Sequence, residues 1–288
     1  MLSLASVVGP SAMVEAPVAG RFSRARSAFA RGPLHALVTD AAGGVVRHWV
    51  RTQERPDRAW TRGEAVSVSA GGPGALVVVG GVLQAFVPEV DGTIAHLRLS
   101  GDEWGRVGVV ARGSAVAATV SRGSTWVAVQ SGGGAPDADP CADVVTLWRA
   151  DGARWVREHT VAGRSPALST PEASTGFLVE QNHRWVLHAR TNQRWLPVCS
   201  GPAGTAPASL VAEKGGWLVA VPHGDRVVTH RIRHGQLEPH ATLTWGAGRV
   251  DGVALLRSGK AVLALTSEEG SVFQHRRHGA ESAWDRVA

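Results

Sequence analysis

A six-fold internal repeat constrains the fold of this chain more than any other feature of its sequence. One strand-like segment recurs as "VVRHWVR", "TIAHLRL", "VVTLWRA", "WVLHART", "VVTHRIR" and "VFQHRRH". The copies are spaced about every 45 residues, which is typical of architectures built from one repeated structural unit. Their central positions are His48, His96, Leu147, His188, His230 and His275. In five units a Trp follows the segment, whereas the fifth has "QLEPH" there: Trp60, Trp104, Trp155, Trp195 and Trp284.

Each unit contains four short segments rich in Val, Thr, Leu and Trp that are separated by turn residues. Unit three shows the order best: "AVAATV", "SRGS", "TWVAVQ", a polar loop, "DVVTLWR", "ADGA" and "RWVREHTV". Such segments predict strands, and successive strands joined by tight turns form an antiparallel meander. Six four-stranded units predict an all-β fold, a single six-bladed β-propeller. Two β-sandwiches would not require one motif repeated six times, and a seventh blade would need about 40 further residues.

The repeat also predicts the unit boundaries within one propeller domain covering residues 1–288. The last unit ends at "AWDRVA", which is barely a fourth strand, while Met13 precedes Leu34 by nearly the spacing that separates Trp from the next second strand elsewhere. We therefore expect residues 1–20 to supply a strand that pairs with the last blade and closes the ring, because closure removes an exposed sheet edge. The six units span residues 21–64, 65–112, 113–164, 165–206, 207–248 and 249–288.

The segment "DGTIAHLRLSGDEW" is similar to the "DG-x-L-W-H-x-W-Q…W" repeat of the PLL-like β-propellers, a family named for a Photorhabdus lectin and related to fungal fucose-binding lectins. The resemblance covers most of the chain from about residue 27. It departs from the family at Arg98, Arg190 and Arg277, where the family often has Trp or Gln, and in blade number, since the family is typically seven-bladed. The resemblance implies a propeller and a sugar-binding role.

Composition narrows the expected partners. The net charge is +6 and the pI about 10.7, but the Arg residues are spread along the chain among 24 acids, and only "RFSRARSAFARG" forms a basic cluster. We therefore expect no nucleic-acid binding. The N-terminus lacks the basic start and apolar core of a signal peptide. No apolar run reaches the length of about 18 residues that a membrane-spanning helix needs. The two cysteines, Cys141 and Cys199, form no disulfide framework. We expect a cytoplasmic, monomeric bacterial protein that does not bind membranes.

The repeated His, Arg and Trp residues are interpreted as architecture. Residues two apart in a strand share a face, so His96 and Arg98 point the same way, and a blade packs both faces against its neighbours. A set of residues that recurs in five blades is better suited to packing neighbouring blades together than to forming a single functional site. The alternative is an exposed Trp that stacks on a sugar ring.

Function is expected where the units differ, in the loops that join second to third strands. All six loops carry an acid: "TDAAGG", "VPEVDG", "SGGGAPDADPCAD", "EQNHR", "PHGD" and "SEEG". The turns of the opposite face are basic or neutral, although Asp and Glu are also common turn formers. We predict ligand-binding residues on this acidic face: Asp40, Glu89, Asp91, Asp139, Glu180, His183, His223, Asp225 and Glu268. The long loop 131–143 is either a lid or a metal site, since "DADPCAD" lacks the Gly and distal Glu of an EF-hand; no metal or cofactor is predicted.

Three functions remain open at this stage. The first is lectin-like binding of a glycan or polyol at the loop face or channel mouth, with carboxylates accepting sugar hydroxyls. The second is a metal-independent enzyme (a lyase, isomerase or cyclase) acting on a small metabolite in a bacterial biosynthetic pathway. Because G-x-S-x-G, HExxH, P-loop and dinucleotide motifs are missing, its catalytic candidates come from separate loops: His183, His223, Glu180, Asp225 and Glu268. The third is a scaffold for a protein partner.

Overall fold

The chain is built from β-strands that form small antiparallel sheets. The computed structural model describes residues 7–15, 34–40, 44–51, 61–121, 123–132, 143–169, 175–192, 194–213, 215–244, 249–258, 261–268, 271–278 and 284–287. In these residues it contains 24 strands arranged in six four-stranded antiparallel sheets, so the all-β prediction is confirmed. Over the same ranges, no helix has the length and apolar character needed to cross a membrane.

The sheets follow one another along the chain, and we number them 1 to 6. Sheet 1 consists of β1 (Val7–Glu15), β2 (Leu34–Asp40), β3 (Gly44–Arg51) and β4 (Thr61–Ala70). Sheet 2 consists of β5 (Ala75–Val79), β6 (Val82–Pro88), β7 (Thr93–Ser100) and β8 (Glu103–Arg112). Sheet 3 consists of β9 (Ala115–Ser121), β10 (Ser124–Ser131), β11 (Val144–Asp151) and β12 (Arg154–Ala162).

The second half repeats this order. Sheet 4 consists of β13 (Arg164–Leu168), β14 (Gly176–Gln181), β15 (Arg184–Thr191) and β16 (Arg194–Pro202). Sheet 5 consists of β17 (Ser209–Glu213), β18 (Gly216–His223), β19 (Arg226–Arg233) and β20 (Gln236–Thr244). Sheet 6 consists of β21 (Val250–Ser258), β22 (Ala261–Glu268), β23 (Ser271–His278) and β24 (Trp284–Val287). Within each sheet, every strand pairs with the next in the chain, as the meander prediction required.

The hydrophobic core lies between successive sheets. Strand β10 is buried almost throughout, whereas β12 at the outer edge of the same sheet is mostly exposed. The two faces of one sheet enter different clusters: Leu178 packs with Leu210 of sheet 5, whereas Phe177 packs with Leu147 of sheet 3. Each sheet is therefore held through both faces by its neighbours. Strand β1 lies against β5 of sheet 2 and against β21, β22 and β23 of sheet 6.

The prediction that the N-terminal segment pairs with the last blade is wrong. Strand β1 pairs with β2 as the first strand of sheet 1, with Met13 opposite Ala36. Sheet 6 has its own fourth strand, β24, in which Trp284 lies opposite Arg277. The spacing between Met13 and Leu34 gives only the number of residues between two strands. That number does not decide which of two neighbouring sheets the first strand joins. The four residues of β24 are enough to complete sheet 6, and sheet 1 therefore begins at Val7 rather than at residue 21.

The repeated aromatic residues join neighbouring sheets, as predicted. Trp155 of sheet 3 makes an edge-to-face contact with His96 of sheet 2, with ring centroids 5.8 Å apart. Trp104 of sheet 2 meets His48 of sheet 1 in the same way at 5.5 Å. His188, by contrast, contacts His159 of the preceding sheet, at 5.9 Å. The histidines aligned in the sequence therefore lie on opposite faces of their sheets.

Candidate functional site

Two of the predicted acids stabilise their own hairpin. Glu89 forms an ion pair with Arg106 at 2.9 Å. Asp91 Oδ1 accepts hydrogen bonds from the backbone N–H and the hydroxyl of Thr93, at 2.8 and 2.7 Å, and these bonds lower the pKa of the Asp91 carboxyl. Arg112 also donates to the Asp91 carbonyl. These side chains shape the β6–β7 turn.

The remaining predicted residues are dispersed over the loop ends of their sheets. His183 is exposed in the β14–β15 turn with a positive φ of 59°, and Asp225 is exposed in the β18–β19 turn. His223 is half-buried. Its pKa is lowered mainly by burial and secondly by the charge of Arg226.

Two further predicted acids lie at strand ends. Asp40 and Glu268 are the last residues of β2 and β22, opposite Val7 and Val250. Asp139 and most of loop 131–143 lie outside the described residues. Across the described part of the chain, no three His, Cys, Asp or Glu side chains are grouped as metal ligands.

Glu180 is the predicted residue that lines a concave site. A narrow cleft with a cavity volume of about 10 Å³ lies where sheet 4 meets the β16–β17 loop that leads to sheet 5, beside the end of β14. Its walls are formed by one acid, one hydroxyl, one indole and small or aliphatic residues: Ser165, Leu178, Glu180, Trp185, Ala203, Gly204, Ala206 and Ala208. We call it the sheet 4/5 cleft.

Arg164 fixes the carboxylate at the edge of this cleft. Its Nε and Nη2 atoms both donate to Oε1 of Glu180, at 3.2 and 2.7 Å, and this bond raises the pKa of the guanidinium. Oε2 of Glu180 has no hydrogen-bond partner in the described part of the chain. The Arg164 side chain is 43% exposed and that of Glu180 17% exposed, so both are accessible from solvent. The pair thus offers a carboxylate acceptor and guanidinium donors side by side.

The backbone at the start of β13 is held by contacts with sheets 3 and 4. Ser165 has a φ of 52°, a left-handed conformation that costs a non-glycine residue about 1 kcal/mol or more. Its N–H donates to the side chain of Gln130 in sheet 3 at 2.9 Å. Gln181 donates to the carbonyl of Ala162, and Gly163, with a φ of 142°, leaves no room for a side chain beside the Glu180 carbonyl. Strain supported by contacts from two sheets is a feature of ligand sites.

An apolar wall faces the charged pair. Trp185 is only 1% exposed, and its indole Nε1 has no hydrogen-bond partner within the described ranges. The ring packs so closely on Gly201 that a side chain there would collide with it. Thr205 of the β16–β17 loop donates its N–H to the Pro222 carbonyl at 2.8 Å, and its hydroxyl accepts from Gly224 N at 3.0 Å. The loop that carries the alanines of the cleft is therefore anchored to sheet 5.

Sequence reasoning found Glu180 but missed Arg164, Ser165, Trp185 and the small residues of the β16–β17 loop. Arg164 and Ser165 are the first two residues of β13, at the junction of two units, whereas the candidate residues came from loops within units. The run "AGR", which ends on the first residue of a first strand, is the available signal for Arg164. Trp185 is the second residue of β15 and precedes the central His188, so it is not one of the repeated Trp residues that follow that position.

Solved structures show which fold this arrangement of sheets belongs to. A fucose-specific lectin from Aleuria aurantia superposes with a TM-score of 0.73 at 13% identity, over 98% of this chain and 96% of the lectin. The SapL1 lectin in complex with α-methyl fucoside gives 0.70 at 13% identity, over 99% and 97%. The chain has a β-propeller fold.

A Trypanosoma rangeli sialidase in complex with sialic acid is similar over a shorter part of its length. It gives a TM-score of 0.61 at 13% identity and covers 92% of this chain but 52% of the sialidase. No protein-family model and no curated protein matches the sequence. The PLL-like resemblance therefore stays a prediction, while the propeller fold it implied is confirmed.

Proposed function

We propose that this propeller is a lectin-like protein that binds a glycan through one sugar residue in the sheet 4/5 cleft. The observation that carries the proposal is the Arg164–Glu180 pair, which lies beside the alanines of the β16–β17 loop, with Trp185 buried in the cleft lining. Sugar hydroxyls donate to carboxylates and accept from guanidinium groups, and the C–H face of a sugar packs on apolar or aromatic surface.

The dimensions of the cleft favour a small ligand. A cavity of about 10 Å³ has room for about one water-sized group, so we expect one hydroxyl or methyl group of a monosaccharide to enter while the rest of the glycan remains outside. The apolar wall favours a sugar with a methyl group or a continuous C–H face. Methyl α-L-fucoside, the sugar in a complex of a mutant Aleuria aurantia lectin, is therefore the first probe to use.

We also propose the arrangement in which this site is held. The six sheets form the blades of a single closed propeller domain of the PLL-like type, and the contact between β1 and β21 closes the ring by packing. We expect a monomeric, cytoplasmic bacterial protein. Size-exclusion chromatography with light scattering checks the monomer, and fractionation of the source cell checks the compartment.

Titration calorimetry with methyl α-L-fucoside and a panel of other methyl glycosides tests the binding site. Glu180→Gln should weaken binding about 10- to 100-fold, because it removes a charged acceptor that also positions Arg164. Glu158→Gln is the matched control, since Glu158 also pairs with an arginine but lies outside the cleft, and it should bind as the parent does. If no glycoside binds at millimolar concentration, or if both variants lose affinity equally, the proposal is wrong.

A further inference from the structure

We infer that the outer hairpins of sheets 3 and 4 form a second binding surface, which takes an acidic polysaccharide. The hairpins β11–β12 and β15–β16 together contain six arginines and two acids, so they carry +4 of the chain's net +6. The arginines are Arg149, Arg154, Arg157, Arg184, Arg190 and Arg194. We call this surface the basic edge.

Three of these guanidinium groups are available to a partner. Arg154, Arg157 and Arg194 are exposed, and in the described part of the chain none lies within ion-pair distance of a carboxylate. Arg154 and Arg157 lie on β12 and Arg194 on β16, which are the outermost strands of two adjacent sheets. A flexible polymer with repeated negative charges can contact both strands, and each contact releases counterions.

Two further arginines keep the centre of the basic edge positive. Arg149 and Arg190 share one carboxylate, that of Glu158, at 2.5 and 3.7 Å. Arg190 also lies over the Trp126 ring, 5.2 Å from its centroid. Two cations around one anion leave an excess positive charge between the two edge strands.

The surroundings favour a polysaccharide over a nucleic acid. Single-stranded nucleic acids bind by stacking bases on exposed aromatic rings. Trp126 and Trp195 are turned inward, at 4% and 7% exposure, and the chain contains no Tyr. The exposed apolar residues here are aliphatic, Val156 and Leu196. The choice of a glycan polymer rests on the proposed function, whereas the charge argument does not.

Heparin is the test probe, and its binding to the full chain is measured by calorimetry at several salt concentrations. The triple variant Arg154→Ser, Arg157→Ser, Arg194→Ser should bind about 10- to 100-fold more weakly at 0.15 M salt, with a shallower salt dependence. The control triple Arg98→Ser, Arg112→Ser, Arg226→Ser removes the same charge from exposed positions outside the basic edge and should bind nearly as the parent does.

Each outcome of this experiment supports or overturns the inference. Equal losses in the two triples would show that net charge alone binds heparin, and would overturn it. Tighter binding of single-stranded DNA or of phosphatidylserine vesicles than of heparin, with the same sensitivity to the basic-edge triple, would also overturn it. Glu180→Gln should keep its heparin affinity, so failure of the cleft and failure of the basic edge are distinguishable.

Discussion

At the scale of single residues, Glu213 has an unusual environment. Its carboxylate pairs with Arg277 of sheet 6, which is fully buried, and with Arg231 of its own sheet at 3.4 Å. Arg277 is also bonded to the His240 ring, at 2.7 Å from Nε2. Arg149, Glu158 and Arg190 repeat this arrangement between sheets 3 and 4 in a more exposed place. In both, one acid joins arginines from adjacent sheets.

Replacing Glu213 by Gln should therefore lower the free energy of unfolding by about 3 kcal/mol, because buried guanidinium groups lose the anion that compensates them. Urea unfolding monitored by Trp fluorescence measures the change. Glu158→Gln, at the more exposed site, should cost about 1 kcal/mol or less. Equal losses of unfolding free energy in the two variants would contradict the idea that burial makes the Glu213 ion pairs more stabilising.

At the scale of the strand, one outer strand presents different residues to its two sides. Trp155 of β12 makes edge-to-face contacts with Phe86 and His96 of sheet 2, whereas the next residue, Val156, is exposed. This alternation lets a short edge strand support a sheet interface while keeping a surface in solvent.

Substitution of Trp155 by Ala should lower the free energy of unfolding by about 3 kcal/mol, because it leaves a void against Phe86 and His96. The adjacent substitution Val156→Ala is the control and should change it by about 0.5 kcal/mol or less. Chemical denaturation of both variants checks the difference. A similar effect of the two would show that β12 does not seal the interface.

The same alternation explains what sequence reasoning could and could not provide. The 45-residue repeat and the turn residues predicted the strands of unit three and the four-stranded sheets. They could not predict which face each His takes: eight residues separate His96 from Trp104, but seven separate His188 from Trp195. A shift of one residue moves a side chain to the other face of a strand. The cleft was hidden because Arg164 and Trp185 lie opposite Glu180 on the two neighbouring strands of sheet 4. That register depends on where each strand begins, which the repeat spacing does not give.

At the scale of the whole molecule, buried histidines occur at several sheet interfaces. His35 and His48 are stacked and bonded at 2.8 Å; burial lowers both pKa values to about 4, and for His35 the neighbouring His48 adds to this. Burial, with His159 as a second cause, lowers the pKa of His188 to about 4 as well. Neither ring nitrogen of His188 has a partner in the described part of the chain. The folded protein thus keeps these rings neutral.

Stability should be greatest above pH 6.5 and fall as the pH drops towards 4. In that window the unfolded chain takes up protons that the folded state excludes, at about 1.4 kcal/mol per pH unit for each such His. Thermal unfolding between pH 7.5 and 4.5 measures the loss. His188→Leu should narrow the difference in Tm between pH 7.5 and 5, and an unchanged difference would exclude His188 as a contributor.

The contact between β1 and β21 has a consequence for biosynthesis. Strand β1 precedes every other described strand in the chain, yet part of the surface on which it packs is contributed by sheet 6, which is made after sheets 1 to 5. A nascent chain on the ribosome therefore carries β1 without this neighbour until sheet 6 has been synthesised. Contacts so distant in sequence have a high loop-closure cost and slow folding. We expect this joint to be among the last parts of the molecule to form, with the early sheets exposed to chaperones until it does.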